Sequence, residues 1–421
     1  MKLLMAEGRR RLFGTVQIDG MKNAALPILM ATLLIPEACI FKNLPENLDV
    51  DAALSLLQAL EVTVRKTGIH TVEVDATHAR IHPLPPELVG GMRASCYLLS
   101  TLLGRFGSAE LVMPGGCDFG TRPIDQHQKA LSALGATVEI LPEENRITAT
   151  ADTLTAAEIW FDTVSVGATM NAMLAAVVSE GQTILHHAAK EPHVADTANF
   201  LNACGAEIIG AGTDVITIMG GRPLHGCTYC IAPDMIEAGT YLAAVAATGG
   251  DLRVKSVIPS HMETFCAKLK EMGVIVTHDT DSIRACADAP LRPTLVTTAP
   301  YPGFPTDLQP QMGVMMCMAR GISTLREQVF AHRFRYVEEL RKMGADIEVQ
   351  GQTATFYGTG QLKAARVRAV DLRAGAAMLI AALAADGKSE ITEITRIKRG
   401  YANYLAKLQG VGAAVWEADD M

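Results

Sequence analysis

The side chain best placed to react is Cys117, in the run Pro114-Gly115-Gly116-Cys117-Asp118-Phe119-Gly120-Thr121-Arg122-Pro123. Three glycines within six residues make this run a poor place to bury a thiol. A nearby cation, Arg122, and the helix start that follows both lower a thiol's pKa, so an exposed and reactive Cys117 is expected. A second group is cationic. Lys22, Arg93 and Arg373 each open an Ala- and Leu-rich helical pattern, and Arg122, Arg333 and Lys398-Arg399 each precede a second helical pattern. A cation at a helix N-terminus opposes the macrodipole. An anion bound there would reconcile the two, since helix N-termini themselves attract anions. The third element is Asp307, in Phe304-Pro305-Thr306-Asp307-Leu308-Gln309-Pro310-Gln311. It reads equally as a helix cap or as a carboxylate that faces the cations and accepts a proton from a substrate hydroxyl. Thiol, carboxylate and cations together suit a small, multiply charged substrate.

These residues recur at matching places in an internal repeat. Six helical patterns end in an L-G-A-like step and pass into a β pattern: Leu60-Glu61-Val62, Leu134-Gly135-Ala136, Cys204-Gly205-Ala206, Met272-Gly273-Val274, Met343-Gly344-Ala345 and Val411-Gly412-Ala413. Their middle residues lie 74, 70, 68, 71 and 68 positions apart. A period of about 70 is longer than that of ordinary solenoids. Each copy reads as an apolar helix, a strand, a loop, an amphipathic helix and usually a hairpin; in the second copy the hairpin turns at Glu143-Glu144-Asn145, in the fifth at Gln350-Gly351-Gln352. The run Ala374 to Ala385 is apolar nearly all round, which predicts a helix buried inside a ring of units. The expected fold is α/β, six β-α-β-α-β-type units in two domains of three. The expected crossover lies between Cys227 and Pro233.

Composition bounds the function. The 421 residues suffice for two or three cores at ~150 residues per domain. With 37 Lys+Arg against 45 Asp+Glu, the formal charge is −8. That argues against nucleic acid or an anionic membrane as partner, because both select clustered positive charge. The longest apolar stretch, Ala24 to Ile35, is too short for a bilayer and is interrupted by Pro27. The N-terminus meets Glu7 before any signal-type run, so a cytoplasmic protein is expected. The nine cysteines, with Cys227 and Cys230 the nearest approach to a pair, show neither zinc-type spacing nor a disulfide framework. No metal site is expected, and the eight besides Cys117 read as structural.

Taken together, Gly20-Met21-Lys22-Asn23-Ala24-Ala25-Leu26-Pro27, Pro114-Gly115-Gly116-Cys117, Gly120-Thr121-Arg122-Pro123-Ile124-Asp125, Val164-Ser165-Val166-Gly167-Ala168-Thr169, Phe304-Pro305-Thr306-Asp307, Asp371-Leu372-Arg373-Ala374 and Arg399-Gly400-Tyr401 resemble the UDP-N-acetylglucosamine 1-carboxyvinyltransferase family of enolpyruvyl transferases. The resemblance runs from about residue 3 to 416, and the motifs in this order are highly specific. It implies two inside-out α/β barrel domains, here 1–22 with 233–421, and 23–232 carrying the Cys117 loop. It implies transfer of the enolpyruvyl group of phosphoenolpyruvate to the 3'-hydroxyl of UDP-N-acetylglucosamine, with release of phosphate through a tetrahedral ketal. This is the first committed step of peptidoglycan synthesis. No metal or organic cofactor is implied, and oligomeric state is left open.

The resemblance also implies roles. Cys117 would be the general acid toward C3 of phosphoenolpyruvate and the site alkylated by fosfomycin, and Asp307 would receive the hydroxyl proton. Lys22, Arg122 and Arg399 would hold the phosphate, with Arg333 and Arg373 facing the carboxylate. Asn23 would contact the sugar, Arg93 would organise the charges, and Asp371 would assist proton transfer at the methyl group. Arg122, Pro123, Ile124, Asp125, Gln126 and His127, with Ser165, Val166, Gly167 and Val329, would line the nucleotide side. Glycines around Cys117 suggest a loop that closes when the nucleotide sugar binds. The chain departs from the family pattern at Met21, Thr163, Met235, Ala331 and His332, at the nucleotide end and periphery. The alternatives are an enolpyruvyl transferase with another nucleoside acceptor, or a non-catalytic ring-like clamp. A shikimate-type enzyme would carry a Pro-Gly-Ser-Lys-Ser-like segment and no loop cysteine.

Overall fold

The structure is a computed structural model, and it describes residues 2–115 and 123–419. Cys117 and Arg122 lie outside the described residues. The repeat seen in the sequence has one local geometry. In all six copies the N–H three residues past the last helical residue bonds back to a leucine carbonyl: Val62 to Leu57, Ala136 to Leu131, Ala206 to Leu201, Val274 to Leu269, Ala345 to Leu340 and Ala413 to Leu408. This is the 6→1 bond of a Schellman stop, which needs a left-handed residue in between. Gly135, Gly205, Gly273, Gly344 and Gly412 supply it with φ between 84° and 98°, whereas the first copy forces Glu61 to φ 62°.

The described residues divide into two compact units, one of 2–19 and 233–419, the other of 20–115 and 123–232. The division falls between Asp19 and Gly20, so Lys22 belongs to the second unit rather than the first. Lys22 opens the Lys22–Ala31 helix, which is buried and lies wholly within the second unit.

In the first unit the helices Met235–Thr248, Gln309–Met318 and Leu372–Ala384 pack on one another. Leu372–Ala384 is buried along its whole length, as its uniformly apolar sequence requires. Among the described residues three four-stranded sheets cover these helices. Two borrow strands from the chain's beginning. Lys2–Glu7 inserts between Lys388–Thr392 and Ala414–Asp419, antiparallel to both, and Leu12–Gln17 adds in parallel beside Gly250–Lys255. The third sheet comprises Leu295–Thr297, Arg320–Arg326, Thr353–Thr359 and Ile347–Gln350. These borrowed strands make the unit discontinuous in sequence.

The second unit follows the same plan. Lys22–Ala31, Tyr97–Phe106 and Val166–Val178 form its inner helices, with two four-stranded sheets and one three-stranded sheet among the described residues. Its last strand, Thr228–Cys230, returns in parallel to Cys39–Lys42 of its first copy. Helices inside and sheets outside make each unit an inside-out α/β body. Among the described residues no helix is long and apolar enough to cross a membrane.

Candidate active site

The first unit concentrates charge where two of its inner helices begin. Asp371 caps Leu372–Ala384, its Oδ1 accepting from the N–H groups of Arg373 at 2.8 Å and Ala374 at 2.9 Å. Capping fixes the backbone of Arg373, whose side chain then reaches Asp307: Nε and Nη2 donate to Oδ2 at 3.1 and 3.0 Å. Arg333 Nη2 donates to the other oxygen, Oδ1, at 3.1 Å. Asp307 is therefore not a cap. It sits in the short Thr306–Leu308 turn, and the helix after it starts without a side-chain cap. Both arginines are nearly fully buried, whereas the Asp307 side chain is 28% exposed. Burial works against the charge on Arg373, but Asp307 and Tyr401 outweigh it and hold its pKa above the ordinary arginine value. The Arg373 guanidinium lies 5.6 Å from the Tyr401 ring centre. Its Nη1 is buried with no hydrogen-bond partner among the described residues.

Two carboxylates that the sequence reading missed hold this geometry. Glu327, fully buried, accepts from the N–H groups of Val329 and Phe330 and from the hydroxyls of Thr298 and Thr306, all within 3.1 Å. It thus ties the Val329–Arg333 loop to the residue before Asp307. Nothing in the local sequence marks it, because its partners are distant along the chain. Asp49 is the other. It lies in the first turn of Leu48–Ala59 and meets Lys22 Nζ at 3.0 Å, both side chains at most 10% exposed. The anion that reconciles Lys22 with its helix start is therefore a carboxylate of the chain itself. The same holds for Arg373, through Asp307. Arg399, half-buried, ends the Thr395–Lys398 helix two residues before Tyr401, and Val329 is exposed.

In the second unit the residues expected to line the nucleotide side fall at two helix starts. Asp125–Ala133 begins just after Pro123 and Ile124, and Val166–Val178 is capped by Ser165, whose Oγ accepts from the Ala168 N–H at 3.3 Å. Gly167 lies against buried His127, so close that a Cβ there would sit 2.6 Å from His127 Nε2. Gln126 joins the two segments: its Nε2 donates to Asp125 and Asp162, and its Oε1 accepts from the Asp162 N–H. Thr163, next to Asp162, is exposed. Asn23 is half-buried in the first turn of its helix. Arg93 donates at the edge of hydrogen-bonding range to the carbonyls of Pro114 and Pro123, on either side of the segment that carries Cys117. Gly115 packs closely against the Gly90 backbone. A Cβ on it would fall 1.7 Å from the Gly90 carbonyl oxygen, so its glycine is a packing requirement.

The EPSP synthase (3-phosphoshikimate 1-carboxyvinyltransferase) family matches residues 6–408. A UDP-N-acetylglucosamine 1-carboxyvinyltransferase of Caldanaerobacter subterraneus subsp. tengcongensis is 50% identical over 99% of each chain. The chain belongs to the enolpyruvyl transferase family. Another such relative, from Bacillus subtilis, is 45% identical over 99% of this chain and 96% of its own. Among solved structures, the enolpyruvyl transferase NikO from Streptomyces tendae superposes with a TM-score of 0.89 at 27% identity, over 99% of this chain and 98% of its own. An EPSP synthase from Acinetobacter baumannii, 17% identical with a TM-score of 0.76, shares the enolpyruvyl transferase fold. Of the positions that depart from the family pattern, Met21 and Met235 are buried at helix starts, while Ala331 and His332 are exposed in the loop before Arg333.

Proposed function

We propose that this chain transfers the enolpyruvyl group of phosphoenolpyruvate to the 3'-hydroxyl of UDP-N-acetylglucosamine, releasing phosphate. The observation that carries the reading is the Asp307 carboxylate held by two buried guanidiniums, one with a donor to spare. Asp307 takes the hydroxyl proton as the sugar oxygen bonds to C2 of phosphoenolpyruvate, while Cys117 protonates C3. Loss of a C3 proton and breakage of the C2–O bond to phosphate then complete the transfer. Arg373 and Arg333 face the substrate carboxylate, and Lys22, Arg122 and Arg399 its phosphate. Preorganised cations of this kind are often the largest catalytic contribution. Asn23 contacts the sugar, Arg93 organises the charges, and Asp371 acts by fixing Arg373. The helix starts at residues 123–127 and 165–167 hold the nucleotide diphosphate, and Val329 borders it.

The test is phosphate release from phosphoenolpyruvate, with and without UDP-N-acetylglucosamine, for wild type and Cys117→Ala. Release is expected only with the nucleotide sugar and the thiol present, and fosfomycin should add one alkyl group at Cys117. Release driven by a different nucleoside, with none from UDP-N-acetylglucosamine, would overturn the acceptor and point to Thr163, Ala331 and His332.

A further inference from the structure

Three cysteines that the sequence scatters meet in the second unit. Cys39 begins the strand Cys39–Lys42, Cys204 ends the helix Pro192–Ala203, and Cys227 immediately precedes the strand Thr228–Cys230. Backbone bonds bring them together: the Ile40 N–H donates to the Cys227 carbonyl at 2.9 Å, and the His225 N–H donates to the Cys204 carbonyl at 2.9 Å. The three sulfurs all lie within 4.8 Å of one another, and Cys204 Sγ is 3.3 Å from Cys227 Sγ. All three are free thiols. Cys39 and Cys204 are fully buried, while Cys227 is partly open and gives an entry path. Residues 39, 204 and 227 belong to no short motif, so sequence spacing could not reveal the cluster.

We propose that Cys39, Cys204 and Cys227 form a trithiolate site for one thiophilic d10 metal ion, Cu(I) or Zn(II). Metal–sulfur bonds of about 2.3 Å place three sulfurs roughly 3.8–4.0 Å apart in tetrahedral or trigonal geometry, a spacing that sulfurs already within 4.8 Å of one another can adopt with small side-chain shifts. Soft thiolates select these ions over hard cations. Three S–H protons leave to solvent as three metal–sulfur bonds form. The ion would pin the returning strand Thr228–Cys230 to the first copy's sheet, a structural task independent of the enolpyruvyl chemistry.

The experiment uses the full chain, reduced and kept anaerobic, titrated separately with Cu(I) and Zn(II). Native mass spectrometry should show one ion per chain. Cd(II), as an optical probe, should give thiolate charge-transfer absorption of three-sulfur intensity. Cys39→Ser, Cys204→Ser and Cys227→Ser should each weaken binding at least about tenfold, since even an outer partner of a ligand is worth ~10–100-fold. Cys230→Ser and Cys117→Ala should bind as wild type does. Because a buried substitution can unfold the chain, a second readout is the metal-induced rise in Tm, expected in wild type and Cys230→Ser and absent in Cys227→Ser, the most open of the three. Uptake of either ion in this pattern supports the site. Uptake unchanged in Cys227→Ser, uptake lost in Cys117→Ala, or no uptake by reduced wild type overturns it.

Discussion

The first unit contains two charged triads of opposite composition. Asp307 is shared by Arg333 and Arg373, one carboxylate for two guanidiniums. Lys407 is shared by Asp19 and Glu237, one ammonium for two carboxylates, at 2.8 and 2.6 Å. The first leaves a surplus positive charge beside a partly exposed carboxylate and an arginine donor without a partner among the described residues. The second is closed over, and its surplus negative charge has no ligand to meet. Its excess is relieved by a proton instead: burial pushes the Glu237 carboxyl up to about 7 despite the Lys407 ammonium. The same device of three charges therefore serves chemistry where it stays open to an anion, and architecture where it does not.

Substituting the shared residue of each triad separates the two roles most sharply. Asp307→Asn should lower kcat by ~10²–10⁴, the typical worth of a general base, and should also cost stability, because it leaves two buried guanidiniums without their counter-charge. Lys407→Met should cost stability alone. Removing one partner of a buried pair costs ~3–5 kcal/mol, so urea denaturation should show a large loss of stability while kcat of the folded protein stays within twofold. If Lys407→Met cost kcat as heavily as Asp307→Asn, the division of roles would fail.

Lys22 and Asp49 give a neutral reference between the triads. Asp49→Asn strands a buried ammonium and should cost ~3 kcal/mol of stability by the same reasoning, recovered in part when added phosphate lends Lys22 a new anion. Denaturation with and without phosphate would check both halves.

The pH dependence follows from Glu237. Its folded pKa, about 7, lies above the ordinary value of 4.5, so folding favours the protonated form. The contribution is full below pH 4.5 and is lost as pH rises through about 7, at up to roughly 1.4 kcal/mol per unit. The urea midpoint of wild type should fall from pH 5 to 7.5 relative to Glu237→Gln, which lacks this titration. A parallel course for the two would show that Glu237 stays ionised. The smallest effect concerns the repeat itself. Glu61→Gly removes a left-handed glutamate worth ~1 kcal/mol of strain, but also its contacts with His82 and Arg80. A Tm gain of a few degrees is expected.

The legibility of the fold came from repetition. Six helix stops at a period near 70 marked six copies, and uniformly apolar runs such as 374–385 marked the helices that lie inside. The described motif residues were legible because they stand at helix starts or in the loops before them. What they touch was not. Asp307 could cap a helix or face cations, and only the meeting of residues 307, 333 and 373 excludes the cap. Lys22 suggested an external anion, and Asp49 supplied an internal one from the neighbouring helix. Glu327 carried no signal at all.

The sequence by itself determined the α/β units, their number, the buried helices and the residue types of the site, because helix periodicity, stop residues and turn chemistry are local properties of a chain. Tertiary structure alone decided which charges share a partner, why Gly115 and Gly167 must be glycine, and that Cys39, Cys204 and Cys227 adjoin. Those are contacts between segments far apart in sequence. They are fixed by which strands pair and which helices pack, and no residue's immediate neighbours record that.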